Sequence, residues 1–416
     1  MMGQKKYIIA CCVIASLIFV IHYQSFGNKG HPPVQIQKKV VKIPGKHHQF
    51  DRWKRLLANR TYTYSQTVVF EPKLQPKTRT YEKSPNMPLH ISLQVGNSSI
   101  NSSHINRTCF YFENGNAYKP VPWDKDILRD LHCSRRLPDA IIFGTRQGGT
   151  SKLGFYLRTH PDIAFSEREE MHFFGSPKER RGIDWYRSQM MQSKANQTTM
   201  ESTPKYFVRP LVPKQLYEVL GATTKLLLVI QDPVKRAMFD FIQLQEVWHD
   251  KGTELMDRWA YFNGTLDDYY FLLNSSFETT VLKSSGEVRK ENAIVYLGCY
   301  SFFLKRWLKY FPVSQIHIIN LDDLQYDPIK TLNRVEKFLH INHYFDEDKL
   351  HYDSSKKLHC LTSPFNHCAD ENQGRVLPQV DEAVIQKLRD YYHSFNSELC
   401  QLVPQTCNFS WIQIPQ

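Results

Sequence analysis

The run AIIFGTRQGGTSKLGFYLRTHPDIAF, Ala140 to Phe165, holds residues suited to binding an anion. An apolar stretch gives way to a turn containing Gly144, Gly148 and Gly149, then to a helix-like segment. Glycines let the backbone approach a ligand closely, and the start of the next helix offers N–H groups and the positive end of its dipole. Arg146 adds a guanidinium and Thr150 a hydroxyl. Phosphate loops of this kind place a lysine beside the last glycines; here that position is Gln147. A Walker loop needs G-x-x-x-x-G-K-[ST], but Gly149 is followed by Thr150 and Ser151, so the nucleoside triphosphatase reading fails on spacing. A purely structural strand-to-helix turn is the alternative.

Such a loop needs a strand before it and a helix after it, and from Pro138 onward the sequence supplies that pairing repeatedly. DAIIFG precedes TSKLGFYLRTH, TKLLLVIQDP precedes VKRAMFDFIQLQEVW, and SQIHIINLDDL precedes DPIKTLNRVEKFLHI. Apolar runs alternating with helical patterns predict an α/β fold, a parallel sheet covered by helices on both faces. In such sheets ligands bind beyond the carboxyl ends of the strands, where the turn Gly144 to Thr150 lies. SFFLKRWLKYFP sets Phe303, Trp307 and Tyr310 opposite Lys305, Arg306 and Lys309, the pattern of an amphipathic core helix with a solvated basic edge.

The 416 residues carry a formal net charge of +12, and 41% are hydrophobic, enough for a substantial core. A basic balance points to polyanions: nucleic acid, anionic lipid or sulfated polysaccharide. The N-terminus decides among them. Lys5 and Lys6 precede an apolar stretch from Tyr7 to Ile21, Tyr23 follows, and no small-residue cleavage site is evident. These features predict a retained membrane anchor with a cytoplasmic tail and a luminal remainder. Glycosylation acceptors at Asn59, Asn97, Asn101, Asn106, Asn196, Asn263, Asn274 and Asn408 agree with a lumen. So do Cys109, Cys133, Cys299, Cys360, Cys368, Cys400 and Cys407, which include no C-x-x-C pair. Their number is odd, and Cys360 with Cys368 and Cys400 with Cys407 are the close-range disulfide candidates. Nucleic acid is thereby disfavoured as a partner. The expected organisation is a tail (1–6), an anchor (7–23), a polar, proline-dotted stem (24–135) with short ordered patches near Trp53 and CFYFENG, and one domain (136–416).

The strand followed by G-x-x-x-G-G-T resembles the 5′-phosphosulfate loop of sulfotransferases that use 3′-phosphoadenylyl sulfate (PAPS). Further blocks follow in order: EEMHFF, GIDWYRSQM, ESTPKYFV, LLLVIQDPVKRAMFDFIQ, RWLKYFP, QIHIINLDDL, HCLTSPFNHC, QGRVLPQVD and LRDYYHSFN. Together they resemble the heparan sulfate glucosamine 3-O-sulfotransferases, anchored Golgi enzymes with a P-loop-like α/β domain. The resemblance implies PAPS as donor, a heparan sulfate acceptor, no metal, and a disulfide between Cys360 and Cys368. It implies Glu170 as the base that takes the hydroxyl proton, with His172 beside it; Phe173 and Phe174 are expected to surround Glu170 and raise its pKa. Donor binding falls to Arg146, Gln147, Gly148, Gly149, Thr150, Ser151, Gln231, Phe239, Gln373, Gly374 and Arg375, and acceptor binding to Ser202, Lys205 and Gln243.

The chain departs from the family pattern mainly at the donor. The family's cations are replaced by Gln147, Ser151, Ser202, Gln231 and Gln373, its serine by Phe239 and its late histidine by Leu377; the aspartate after the histidine–phenylalanine block is Gly175. Charge-assisted hydrogen bonds contribute about 1.5–3 kcal/mol each, so these losses predict weakened PAPS binding. Lys152, Lys205 and Lys235 lie near the lost cations in sequence and are the candidate compensators. Two outcomes are expected to compete: a heparan sulfate sulfotransferase with a remodelled donor site, and a non-catalytic binder of glycan or of a partner enzyme. A changed nucleotide donor is a third.

Overall fold

In a computed structural model of the chain, residues 108–251, 275–369 and 377–412 are described. Five parallel strands form the central sheet: β1 (Ala140–Gly144), β2 (Ile163–Phe165), β3 (Thr198–Ser202), β4 (Lys225–Ile230) and β5 (Ile316–Asn320). Their spatial order is β2-β3-β1-β4-β5, with β1 at the centre. The chain leaves β1 first towards β2 and later returns to its other side as β4, so the direction of winding reverses at β1. A crevice opens at such a reversal, beyond the strand's carboxyl end.

Continuous apolar runs suit strands buried on both faces, and alternation decides which residue faces which layer. Ile141, Phe143, Leu226, Leu228, Ile230, Ile316 and Ile318 share one hydrophobic cluster. Their neighbours Ala140, Ile142, Leu227, Val229 and Ile319 share the other. Helices α1 (Thr150–Arg158) and α4 (Pro328–Leu339) cover the second face through Leu153, Leu157, Leu332, Val335 and Leu339. Helix α3 (Tyr300–Trp307) covers the first through Phe303, Leu304 and Trp307. Helix α2 (Pro233–Lys251) packs against α5 (Glu382–Leu402) through Val234, Ala237, Met238, Val384, Leu388 and Tyr392.

Local chemistry sets the element ends. Asp327 caps α4 by accepting from the Lys330 amide, Pro328 opens the helix, and His340 ends it at φ +61°. The stretch SQIHIINLDDL is not one strand, as its grouping suggests. Asn320 accepts from the Asp322 amide and starts a short helix, Leu321–Tyr326. On α3, Phe303 and Trp307 are buried as expected, but the helix closes before Tyr310. Lys305 and Lys309 are exposed as expected, while Arg306 is half-buried, its guanidinium 4.6 Å from the Phe302 ring centroid and 5.5 Å from that of Phe303.

Ordered structure begins well before the expected end of the stem at 135. Phe110–Phe112 pairs with Pro120–Pro122, and Cys109 is bonded to Cys133. Cys109, Phe110, Trp123 and Leu128 pack with Ala164 and Met191 of the domain. A local cluster of aromatic residues and a cross-link supply burial that the average polarity of the stretch conceals. Cys360 is bonded to Cys368 and Cys400 to Cys407, leaving Cys299 as the unpaired thiol among the described residues. Burial pushes the Cys299 thiol up to about 11. The expected anchor, most of the stem and Gln373, Gly374 and Arg375 lie outside the described residues. Among those described, no helix is long and apolar enough to cross a membrane.

Candidate donor and acceptor site

The glycine loop joins β1 to α1 at the sheet's crevice. The Thr145 amide and hydroxyl both donate to the Val229 carbonyl, at 2.8 and 3.1 Å, tying the loop to β4. A Cβ on Gly148 would lie 2.2 Å from Thr145 Oγ1 and 2.4 Å from the Val229 oxygen. Gly149 has φ +98°, and its Cβ would come within 2.4 Å of Leu321 Cδ1. Both positions therefore require glycine. The chain keeps the close backbone approach that a phosphate cradle uses.

The side chains around this cradle have turned towards one another. Gln147 Nε2 donates to Gln243 Oε1, and Gln231 Nε2 donates to the Gln147 carbonyl. Gln231 is buried, with its own carbonyl accepting from the Tyr300 hydroxyl at 2.9 Å. Arg146 Nε lies 2.8 Å from Asp240 Oδ1, while Asp240 Oδ2 lies 2.9 Å from Nη1 of the fully buried Arg236. One carboxylate thus serves two arginines, and the loop's own cation is held by a protein partner. Gln243, expected on the acceptor side, instead meets the loop from α2. Arg236, Asp240 and Gln243 stand at i, i+4 and i+7, one face of that helix, which is the sequence signal for the grouping. Phe239 is half-buried on α2, Thr150 is buried and Ser151 is exposed. Of the candidate compensators, Lys152 is buried on α1, and Lys235 Nζ lies 3.8 Å from Asp322 Oδ2.

Glu170 and His172 follow β2 at the same end of the sheet. His172 Nε2 is 2.6 Å from Glu170 Oε2, the spacing of a charge-assisted hydrogen bond. The Glu170 side chain is 45% exposed, so the expected apolar surroundings are not there. Phe173 and Phe174 turn inward instead: Phe173 stacks on Tyr186 at 4.4 Å, and Phe174 meets the Tyr206 ring at 5.7 Å. Ser202 ends β3, and Lys205 lies in the turn Pro204–Tyr206 that follows; both are half-buried.

A buried network missed in the sequence holds the Glu170–His172 loop in shape. Thr203 Oγ1 accepts from the Met171 amide at 3.1 Å and the His172 amide at 3.4 Å. Tyr206 Oη accepts from the Phe173 amide at 2.8 Å and the Phe174 amide at 3.3 Å. Behind them lies Glu201, fully buried, accepting from the Tyr186 and Thr203 hydroxyls at 2.6 Å each. The available signal was an acidic residue inside TTMES, a strand in the interior of the sheet.

Burial pushes the Glu201 carboxyl up from 4.5 to about 6, against the pull of hydrogen bonds from Thr203, Tyr186 and Tyr206. Between those values the folded chain keeps a proton that the unfolded chain releases. Stability should therefore fall as pH rises from 4.5 through 6, and remain about 2 kcal/mol lower above it. Glu201→Gln should flatten this dependence. Urea unfolding at a series of pH values for both proteins checks it; equal slopes would reject the assignment.

A sulfotransferase domain model matches residues 137–398. Heparan sulfate glucosamine 3-O-sulfotransferase 5 of Homo sapiens is 34% identical over 302 residues, 72% of this chain and 80% of that protein. The human 3-O-sulfotransferase 3B1 is 31% identical over 284 residues, 67% of this chain and 66% of that protein. Among solved structures, a sulfotransferase from Alicyclobacillus acidocaldarius aligns with a TM-score of 0.46 and 18% identity, covering 65% of this chain and 96% of that one. Mouse sulfotransferase SULT7A1 complexed with PAP aligns with a TM-score of 0.33 and 14% identity, covering 65% and 87% respectively.

Proposed function

Since this chain belongs to the heparan sulfate glucosamine 3-O-sulfotransferase family as a divergent member, we propose that it transfers a sulfuryl group from a weakly held PAPS to a glucosamine hydroxyl of heparan sulfate. The observation that carries this reading is the Glu170–His172 pair, 2.6 Å apart and partly open to solvent at the end of the sheet that bears the glycine loop. PAPS, when bound, supplies the sulfuryl group and leaves as PAP. The chain's part is to hold it and to move one proton. Backbone N–H groups at the start of α1, at Gly149 and Thr150, suit the 5′-phosphosulfate, and Arg146 would complete the contact by exchanging Asp240 for the ligand. Glu170 accepts the glucosamine hydroxyl proton, while His172 fixes the carboxylate's direction. Ser202 and Lys205 lie at the neighbouring strand end, where the acceptor would pass.

The basic, lysine-flanked N-terminus and the glycosylation acceptors support a Golgi type II membrane protein with this domain in the lumen. A second reading, a glycan or partner-enzyme binder without transfer, is favoured by the Gln147–Gln243 and Gln231–Gln147 bonds, which fill the loop's surroundings with amides. Incubating the purified full-length protein with radiolabelled PAPS and heparan sulfate separates the two. Label should enter the polysaccharide and rise with PAPS up to high donor concentration. Binding of heparan sulfate without any incorporation would establish the second reading instead.

A further inference from the structure

The turn that follows the Glu170–His172 loop folds back and clasps it. Pro177–Arg181 is a single turn of helix capped by Ser176, whose hydroxyl accepts from the Lys178 amide at 3.2 Å. The same hydroxyl donates to the His172 carbonyl, and Glu179 closes a capping box by accepting from the Gly175 and Ser176 amides. From this turn the Lys178 side chain reaches back over the loop. Its Nζ donates to the Met171 carbonyl at 2.9 Å.

Met171 is the residue between Glu170 and His172, and it is fully buried. Both of its backbone polar groups are held: the amide by Thr203 Oγ1 at 3.1 Å, the carbonyl by Lys178. The backbone between Glu170 and His172 therefore cannot turn without breaking one of these bonds. Lys178 is half-buried. Burial pushes its ammonium below the ordinary lysine value, Arg168 and Arg181 push the same way, and Glu201 and Glu170 pull it back up. The ammonium thus stands in the field of both carboxylates. Around them, His172 meets Glu170, the Tyr186 and Thr203 hydroxyls meet Glu201, and Arg209 and Glu179 bond to the Gly175 backbone. Lys205 stands in the turn after β3. Lys178 is not among the cations singled out in the sequence, because nothing in GSPKERR shows that this turn folds over Met171.

We infer that Lys178 is a positioning residue for sulfuryl transfer: its ammonium pins the Met171 carbonyl, so that Glu170 and His172 keep their mutual geometry, and its charge favours the carboxylate form of Glu170. The inference rests on the reading of Glu170 as the proton acceptor. Lys178 touches no reacting atom and acts through Glu170. A nearby opposite charge favours the ionised form of a carboxyl, and a carbonyl that loses its donor loosens the loop. Removing the cation lets Glu170 take up a proton at higher pH. Transfer is then lost sooner as pH falls.

The test is the pH dependence of labelled sulfate incorporation into heparan sulfate by the full-length protein and by Lys178→Met, Lys178→Gln and Lys178→Arg. For Lys178→Met the acid limb of kcat should move up by about half a pH unit to one unit, less than the shift given by a charge in direct contact. On that limb the rate should fall about three- to tenfold, with KM for PAPS unchanged. Lys178→Gln, uncharged but still a donor, should show the same shift with a smaller loss on the plateau. Lys178→Arg keeps the charge and should follow the wild-type limb. Should Lys178→Met fail to fold, Lys178→Gln against Lys178→Arg decides the role of the charge. If wild type transfers no label, or Glu170→Gln matches it, the reading of Glu170 as base fails and Lys178 falls with it. If Glu170→Gln loses transfer while both uncharged variants keep the wild-type acid limb, the role of Lys178 alone is overturned. A shift in Lys178→Arg as large as that in Lys178→Met would also overturn it, since charge would then not be what Glu170 responds to.

Discussion

Gln147→Lys combined with Gln231→Arg is expected to tighten PAP binding about 100-fold and to destabilise the protein when no ligand is present. Each restored cation can add a charge-assisted bond of about 1.5–3 kcal/mol to the nucleotide, so two would give about 10²–10⁴-fold. The lower end applies because the change has an internal cost. Gln231 is 3% exposed and spends its amide on the Gln147 carbonyl, and an arginine in its place must bury a full charge and a longer side chain in the same space. Asp240 already answers both Arg146 and Arg236, so its two oxygens are taken before the new cations arrive. The ligand-free double variant should melt below wild type. With saturating PAP the order should reverse, because ligand adds stability in proportion to the logarithm of its concentration over Kd. Titration calorimetry with PAP and melting curves with and without it provide both readings. Affinity equal to wild type would show that Gln147 and Gln231 do not face the nucleotide.

The sheet was legible because its strands are buried on both faces and so read as apolar runs, with AIIFG and KLLLVI the clearest. The loop was legible because close approach demands glycine, whatever the ligand. Side-chain partnerships across elements were not. Gln243 is separated from Gln147 by 96 residues, and only the crossing of α2 over the loop brings their amides together. Glu201 looked like one polar letter in a polar strand; its burial follows from the position of β3 between β2 and β1, a property of the sheet order rather than of TTMES. Arg306 lies over Phe302 and Phe303 of its own helix, and its Nη1 also reaches the Val208 carbonyl at 3.5 Å, a partner 98 residues away that periodicity does not reveal. Periodicity names the face of an element. It does not name what crosses that face.

Glu170→Gln is expected to reduce transfer about 10²–10⁴-fold while leaving folding and PAP affinity unchanged. The carboxamide has nearly the shape of the carboxylate and can still bond to His172, but at neutral pH it has no basic oxygen for the hydroxyl proton. Partial exposure of the side chain means that little packing is disturbed, and exposed substitutions of this kind usually change stability by less than about 0.5 kcal/mol. The effect should therefore appear in kcat, with KM for PAPS steady, as expected for an interaction made only on the way to the transition state. Single-turnover incorporation of labelled sulfate, run beside PAP calorimetry, distinguishes this from a lost donor site. Glu201 cannot substitute as the base: it is fully buried and both carboxyl oxygens accept hydroxyl groups of the protein, so its own replacement should act on loop geometry and stability. A Glu170→Gln protein that transfers at the wild-type rate would place the proton acceptor elsewhere. The 2.6 Å contact with His172 would then be a surface ion pair of no consequence for transfer.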